Sequence, residues 1–168
     1  MRILGVDPGT HRLGYGVIEV DGPARRCLEA GCLEAARRDP IERRLHVLHT
    51  GLAEVARRWR PDHLAVEEPF VAPERGAKSA VAVGQAQALA LLVAADAGIE
   101  VHRYAPSQVK HAVADYGAST KAQLQRSLRL LLSLPAEPMA DDASDALAIA
   151  LCHLQHWRTA QRTQAPVR

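Results

Sequence analysis

Ile3-Leu4-Gly5-Val6-Asp7-Pro8-Gly9-Thr10, with the run Leu13-Gly14-Tyr15-Gly16-Val17-Ile18-Glu19-Val20 behind it, decides the fold. An apolar run closed by a carboxylate and then by a Pro-Gly turn reads as a short buried strand over residues 2–7. Residues 13–20 read as a second strand. Asp21-Gly22 is a hairpin signal, and residues 25–33 return as a third. Strands joined this tightly are antiparallel neighbours.

Asp39 then reads as an N-cap, with Pro40 at the first helical position. Ile41, Leu45, Leu48, Leu52, Val55 and Trp59 form one apolar stripe at helical spacing, and Arg60-Pro61 ends it. Residues 63–67 form a fourth strand, parallel to the first because a helix connects to it. A loop with two prolines covers 69–76. An Ala-rich helix covers 77–96, and its lack of a polar face suits a sandwiched position or a second chain. Residues 99–103 are a fifth strand. Pro106 opens a short helix to 113, Thr120 and Gln123 form a capping box for a helix to about Leu132, and a last helix runs from about Ala140 to Trp157. The pattern predicts an α/β domain over 1–157, a five-stranded mixed sheet with helices on its faces. Residues 158–168 lack apolar spacing and read as a disordered basic tail.

At 168 residues, one domain is the natural size. Cys27, Cys32 and Cys152 are an odd set with no signal peptide ahead of them, which suits reduced thiols in a cytoplasm. They read as small apolar fillers, and Cys27 and Cys32, five apart, should face opposite sides of a strand. No apolar run is long enough to span a bilayer. Net charge is only +2, but it is uneven. Arg103, Lys110, Lys121, Arg126 and Arg129 face a single acid, Asp115, and His102 and His111 would add to the excess. Such a face suits phosphate contact, although a solvated surface looks the same in sequence.

Acidic residues close or open apolar runs in three places. Asp7 and Glu67 end neighbouring parallel strands, where open α/β sheets place their sites. Asp142 and Asp145, three apart at the start of the last helix, share a face. Each has an ordinary alternative: Asp7 as a turn former, Asp142 as an N-cap, Asp145 as a first-turn acid. Glu68 competes with Glu67, and Asp141 with Asp142. Pooled, such carboxylates hold hard divalent cations. Two ions about 4 Å apart serve phosphodiester hydrolysis by an activated water, with no Ser, Cys or His nucleophile. Asp7, on the central strand, is then the candidate bridging ligand.

Gly5-Val6-Asp7-Pro8-Gly9-Thr10, Gly14-Tyr15-Gly16-Val17-Ile18, Ala65-Val66-Glu67-Glu68-Pro69-Phe70, Gly84-Gln85-Ala86, Gln108-Val109-Lys110 and Asp142-Ala143-Ser144-Asp145-Ala146-Leu147-Ala148-Ile149-Ala150 together resemble the RuvC Holliday-junction resolvases, in order and spacing, from about residue 2 to 157. The resemblance implies a ribonuclease-H-like fold and a homodimer that cuts four-way DNA junctions symmetrically in recombination and repair. It implies two Mg²⁺ or Mn²⁺ ions per active site. As partners it implies a junction-binding protein and a branch-migration motor, RuvA and RuvB. It maps the four acidic ligands onto Asp7, Glu67, Asp142 and Asp145, the base-contacting aromatic onto Phe70, and two functional lysines onto Lys110 and Lys121. Arg75 and Lys78 in the following loop, with Arg126 and Arg129, complete the expected DNA contacts. The chain departs from the family at Gln87 and Ala82, where basic residues are common. The helix over 77–96 is the expected dimer surface.

Two other readings fit parts of the chain. Asp7-Pro8-Gly9-Thr10 also resembles the phosphate-binding hairpin of sugar kinases and actin, but that fold needs two such domains. A non-catalytic junction binder would gain nothing from four carboxylates beside phosphates.

Overall fold

The computed structural model describes residues 1–68, 76–114, 120–135 and 139–164. Phe70 and Arg75 lie outside the described residues, as does the Lys78 side chain. The chain runs β1 (Arg2–Asp7), β2 (Arg12–Asp21), β3 (Ala24–Glu34), α1 (Ile41–Trp59), β4 (His63–Glu67), α2 (Gly76–Ala97), β5 (Glu100–Tyr104), α3 (Pro106–Ala114), α4 (Lys121–Leu132) and α5 (Asp141–Gln164). The sheet order is β3-β2-β1-β4-β5, with β1–β2 and β2–β3 antiparallel and β1–β4 and β4–β5 parallel. The mixed five-stranded sheet expected above is the one observed.

Alternation along the strands builds two cores. Leu4, Val6, Leu64 and Val66 pack towards α1 and α2 with Leu48, Leu52, Leu89 and Val93. Ile3, Ile18 and Ala65 pack towards α4 and α5 with Leu128, Leu147, Ile149 and Leu151. On this second face, three strand positions, Gly5, Gly14 and Gly16, carry no side chain. A Cβ at Gly5 would collide with the Ala146 carbonyl oxygen, and one at Gly14 with the Asp142 carbonyl oxygen. The missing side chains let the α5 backbone lie directly on β1 and β2.

The capping box holds: Thr120 Oγ1 accepts from the Gln123 amide at 3.2 Å, and Gln123 Oε1 accepts from the Thr120 amide at 2.9 Å. α1 stops at Arg60, which takes the left-handed conformation with φ 45°. Among the described residues no helix is long and apolar enough to cross a membrane.

Three local expectations differ from the structure. Pro40 itself is the N-cap of α1, extended at φ −61° and ψ 156°, and Asp39 makes no capping bond. Asp39 faces Arg43 at 3.7 Å instead, one helical turn on. Cys27 and Cys32 do not face opposite sides. The β2–β3 register shifts between Val17 and Ile18, which pair with Glu29 and Cys27 and leave Leu28 unmatched. That extra residue resets the alternation, so Cys27 packs into the α5-side core and Cys32 reaches the start of α5. Finally, α5 continues through Gln164, so residues 158–164 of the expected disordered tail are helical, and 165–168 lie outside the described residues. Arg158 anchors this end to the β2–β3 turn, donating to the Gly22 carbonyl at 2.7 Å, and the Thr159 and Thr163 hydroxyls donate to carbonyls four residues back.

Candidate metal centre

Asp7 and Glu67 end β1 and β4, which run parallel in register up to Val6 and Val66. Both carboxylates therefore emerge at the same sheet edge. α5 begins over that edge because Gly14, the register partner of Asp7, accommodates the Asp142 backbone. The first turn of α5 thus adds Asp142 and Asp145.

The charges of these groups act on one another. The Asp7 carboxyl is pushed from 3.8 up to about 7, first by burial and then by the charges of Asp145, Glu67 and Asp142. Glu67 is raised by burial and by Asp145, and Asp145 by burial and by Asp141 and Asp142. Burial and like charge both penalise the ionised form, so the cluster is poised to gain from cations. Its donors are all carboxylate oxygens, the ligands of hard divalent ions. The residues present therefore fit an oxygen-ligated divalent centre.

Two lysines border it. Lys121 Nζ lies 3.1 Å from Asp141 and 3.8 Å from Asp145, and its charge opposes the upward shifts of Asp7 and Asp145. Lys110 is near enough to Glu67 to oppose its shift. Glu68 is exposed, outside the set that acts on Asp7. Asp141 also stands outside that set and faces Lys121. Arg126 is exposed on α4, and Arg129 is half-buried one turn further on. His102 does not join the basic face: burial under α5 pulls its pKa down.

Three neighbours of the centre were not singled out as functional from the sequence. Arg12 Nε donates to Asp142 Oδ2 at 2.7 Å, while its Nη1 lies 2.8 Å from Glu34. The Cys32 thiol also donates to Asp142, at 3.5 Å, so Cys32 is more than an apolar filler. Gln87 Nε2 donates to the Glu67 carbonyl at 3.4 Å, an uncharged anchor behind that carboxylate. Arg12 had a sequence signal: it stands two residues before Gly14 on the strand beside Asp7. Its partner, 130 residues away, left none. His11 is held by Arg44, whose Nη1 lies within 2.7 Å of its ring, and Arg44 also donates to the Thr10 carbonyl.

A family profile for Crossover junction endodeoxyribonuclease RuvC matches residues 3–153. The chain belongs to the RuvC family. RuvC of Thermomicrobium roseum is 48% identical over 161 residues, covering 96% of this chain and 97% of that protein. RuvC of Chloroflexus aggregans is 46% identical, covering 96% and 98%. Among solved structures, T. thermophilus RuvC in complex with a Holliday junction substrate superposes with a TM-score of 0.83 at 35% identity, covering 95% of this chain and 96% of that one. The yeast mitochondrial Holliday junction resolvase Ydc2 superposes at 0.64 with 12% identity, a likeness of fold alone. The ribonuclease-H-like architecture expected from the sequence is therefore that of RuvC.

Proposed function

We propose that this chain resolves four-way DNA junctions by divalent-metal-dependent phosphodiester hydrolysis, with Asp7, Glu67, Asp142 and Asp145 as the metal ligands. One observation carries the reading: at the carboxyl edge of the parallel strands of a RuvC chain, the charges of Glu67, Asp142 and Asp145, from two remote segments, all oppose the ionisation of Asp7. When bound, divalent ions neutralise charge on the attacking and leaving oxygens and acidify a water. The chain's own residues prepare that chemistry. Burial of Asp7 keeps its carboxyl from ionising fully without a cation near neutral pH. Arg12 fixes the Asp142 carboxylate from outside the cluster. Lys121 moderates the charge of Asp145 and offers an ammonium to a backbone phosphate.

Lys110, Lys121, Arg126 and Arg129, with Phe70, Arg75 and Lys78, are the proposed DNA contacts. The exposed start of α4, where Thr120 caps backbone amides, suits a phosphate. The chain acts as a homodimer in the cytoplasm, with Mg²⁺ or Mn²⁺ and with RuvA and RuvB as partners. α2 is the proposed dimer face: Val81 and Leu92 are 60% and 54% exposed on it, apolar area that a second copy would cover.

The test is a synthetic four-way junction beside a linear duplex of the same sequence, each with Mg²⁺, Mn²⁺ or chelator. Paired symmetric nicks in the junction, absent with chelator, are expected. Equal cutting of the linear duplex, or cutting in chelator, would refute the reading.

A further inference from the structure

At the opposite end of β4 from Glu67, three histidines converge from three elements. His63 opens β4, His102 lies on β5, and His153 is on α5. One ring nitrogen of each lies within 4.8 Å of the others. His63 Nδ1 and His102 Nε2 are 3.0 Å apart. The His153 ring stacks on His102 at 4.1 Å and lies 4.9 Å from His63. Four residues of strand, about 13 Å, separate His63 from Glu67, so this cluster is distinct from the carboxylate centre.

Packing alone accounts poorly for it. His153 is 1% exposed, and its Nε2 is buried with no hydrogen-bond partner. Leaving such a group unpaired is unfavourable, and an aliphatic side chain would fill the space without that cost. Its other nitrogen, Nδ1, lies 2.7 Å from the Tyr104 hydroxyl. With Nδ1–H donating to Tyr104 Oη, Nε2 presents a lone pair, the outer-shell arrangement that orients a ligating imidazole. Burial holds His153 neutral, with its pKa pulled down to about 3. A carboxylate borders two of the three: Glu100 Oε1 lies 3.3 Å from His102 Nε2, and Oε2 lies 3.7 Å from His63 Nδ1.

We propose that His63, His102, His153 and Glu100 bind one divalent transition-metal ion of the zinc class, which clamps α5 to β4 and β5. Three imidazoles and one carboxylate suit Zn²⁺ or Co²⁺ and disfavour Mg²⁺. Tetrahedral coordination at ~2.0–2.1 Å needs donor atoms roughly 3.3 Å apart. The His63–His102 pair already approaches that spacing, and His153 has to draw in from a separation of up to 4.8 Å. The proton shared between His63 and His102 moves to a nitrogen that does not ligate, so both ligating atoms present lone pairs.

Cobalt titration of the chelator-stripped full chain, in an Asp7→Asn background that cripples the carboxylate centre, reads the site. We expect one Co²⁺ per chain with the intense visible absorption of four-coordinate cobalt, displaced by Zn²⁺. His102→Gln should weaken binding at least ~10-fold. In the Asp7→Asn background Zn²⁺ should raise the Tm by several degrees and His102→Gln should abolish that rise, while in the natural sequence His102→Gln should leave Mg²⁺-supported junction cleavage in place. His63→Gln, also only partly buried, serves as the second variant. Absence of the four-coordinate spectrum, or equal affinity and equal Tm shift in both histidine variants, would overturn the proposal and leave three imidazoles packed in a corner of the core. Failure here leaves the proposed nuclease reading intact, and a failed cleavage assay leaves this site intact.

Discussion

Gly14 lies directly under the backbone of Asp142: a Cβ on the glycine would collide with the Asp142 carbonyl oxygen. Asp7 pairs with Gly14 across the β1–β2 ladder, so this absent side chain sets how closely the first turn of α5 approaches Asp7. Gly14→Ala must displace backbone rather than a flexible side chain. We expect a stability loss of about 1–3 kcal/mol, read by chemical denaturation, and a larger fractional loss of cleavage than of junction binding. A variant with natural stability and cleavage would show that α5 does not need this approach.

Asp7→Asn removes the charge most enclosed by the cluster while keeping its size. Junction cleavage should fall by on the order of 10²–10³-fold or more, the equivalent of several kcal/mol of transition-state stabilisation. Gel-shift affinity for the junction in chelator should be unchanged or tighter, since a negative charge near phosphate is gone.

The raised Asp7 pKa has a stability consequence of definite sign. Between 3.8 and about 7 the folded protein holds a proton that the unfolded chain has released. Metal-free stability from this group is therefore full at low pH and is lost as pH rises through about 7. The span corresponds to at most about 4 kcal/mol. Thermal melts in chelator should show the natural sequence less stable at pH 8 than at pH 5.5, by more than Asp7→Asn shows. Mg²⁺ added at pH 8 should recover the difference only where Asp7 is present.

Lys121 lowers the pKa of Asp7 and Asp145, so its removal raises both. In Lys121→Met the acidic limb of the single-turnover cleavage profile should move to higher pH. The lysine is exposed and solvent-screened, so the shift should be under about one unit. An unmoved limb with weaker junction binding would assign Lys121 to DNA alone.

If Lys110 and Arg126 touch phosphates, Lys110→Ala and Arg126→Ala should each reduce the slope of log affinity against log salt by about 1, for junctions of any sequence. Unchanged slopes would place both on a merely solvated face.

The sheet and half of the centre were legible in the sequence because they depend on short-range pattern. Apolar runs closed by Asp7 and Glu67, with a helix between them, suffice to put two carboxylates at one edge. The choice of Asp142 over Asp141 depends on how α5 lies over Gly14 and on Arg12 reaching across from β2, both matters of tertiary approach. The facing of Cys27 escapes simple alternation because Leu28 adds one residue to β3 that has no partner on β2. The helical end after Trp157 has no apolar stripe to announce it, and its contact with Gly22 is 136 residues distant. His63, His102 and His153 are separated by 39 and more residues, and no local spacing connects them.

The carboxylates of Asp7 and Asp142 are made at opposite ends of translation. Because the ribosome delivers β1 and β4 long before α5, a nascent chain can pair those strands while lacking two of the four carboxylates proposed as ligands. On that proposal, hydrolytic competence arrives in one late docking step, when α5 settles over Gly14.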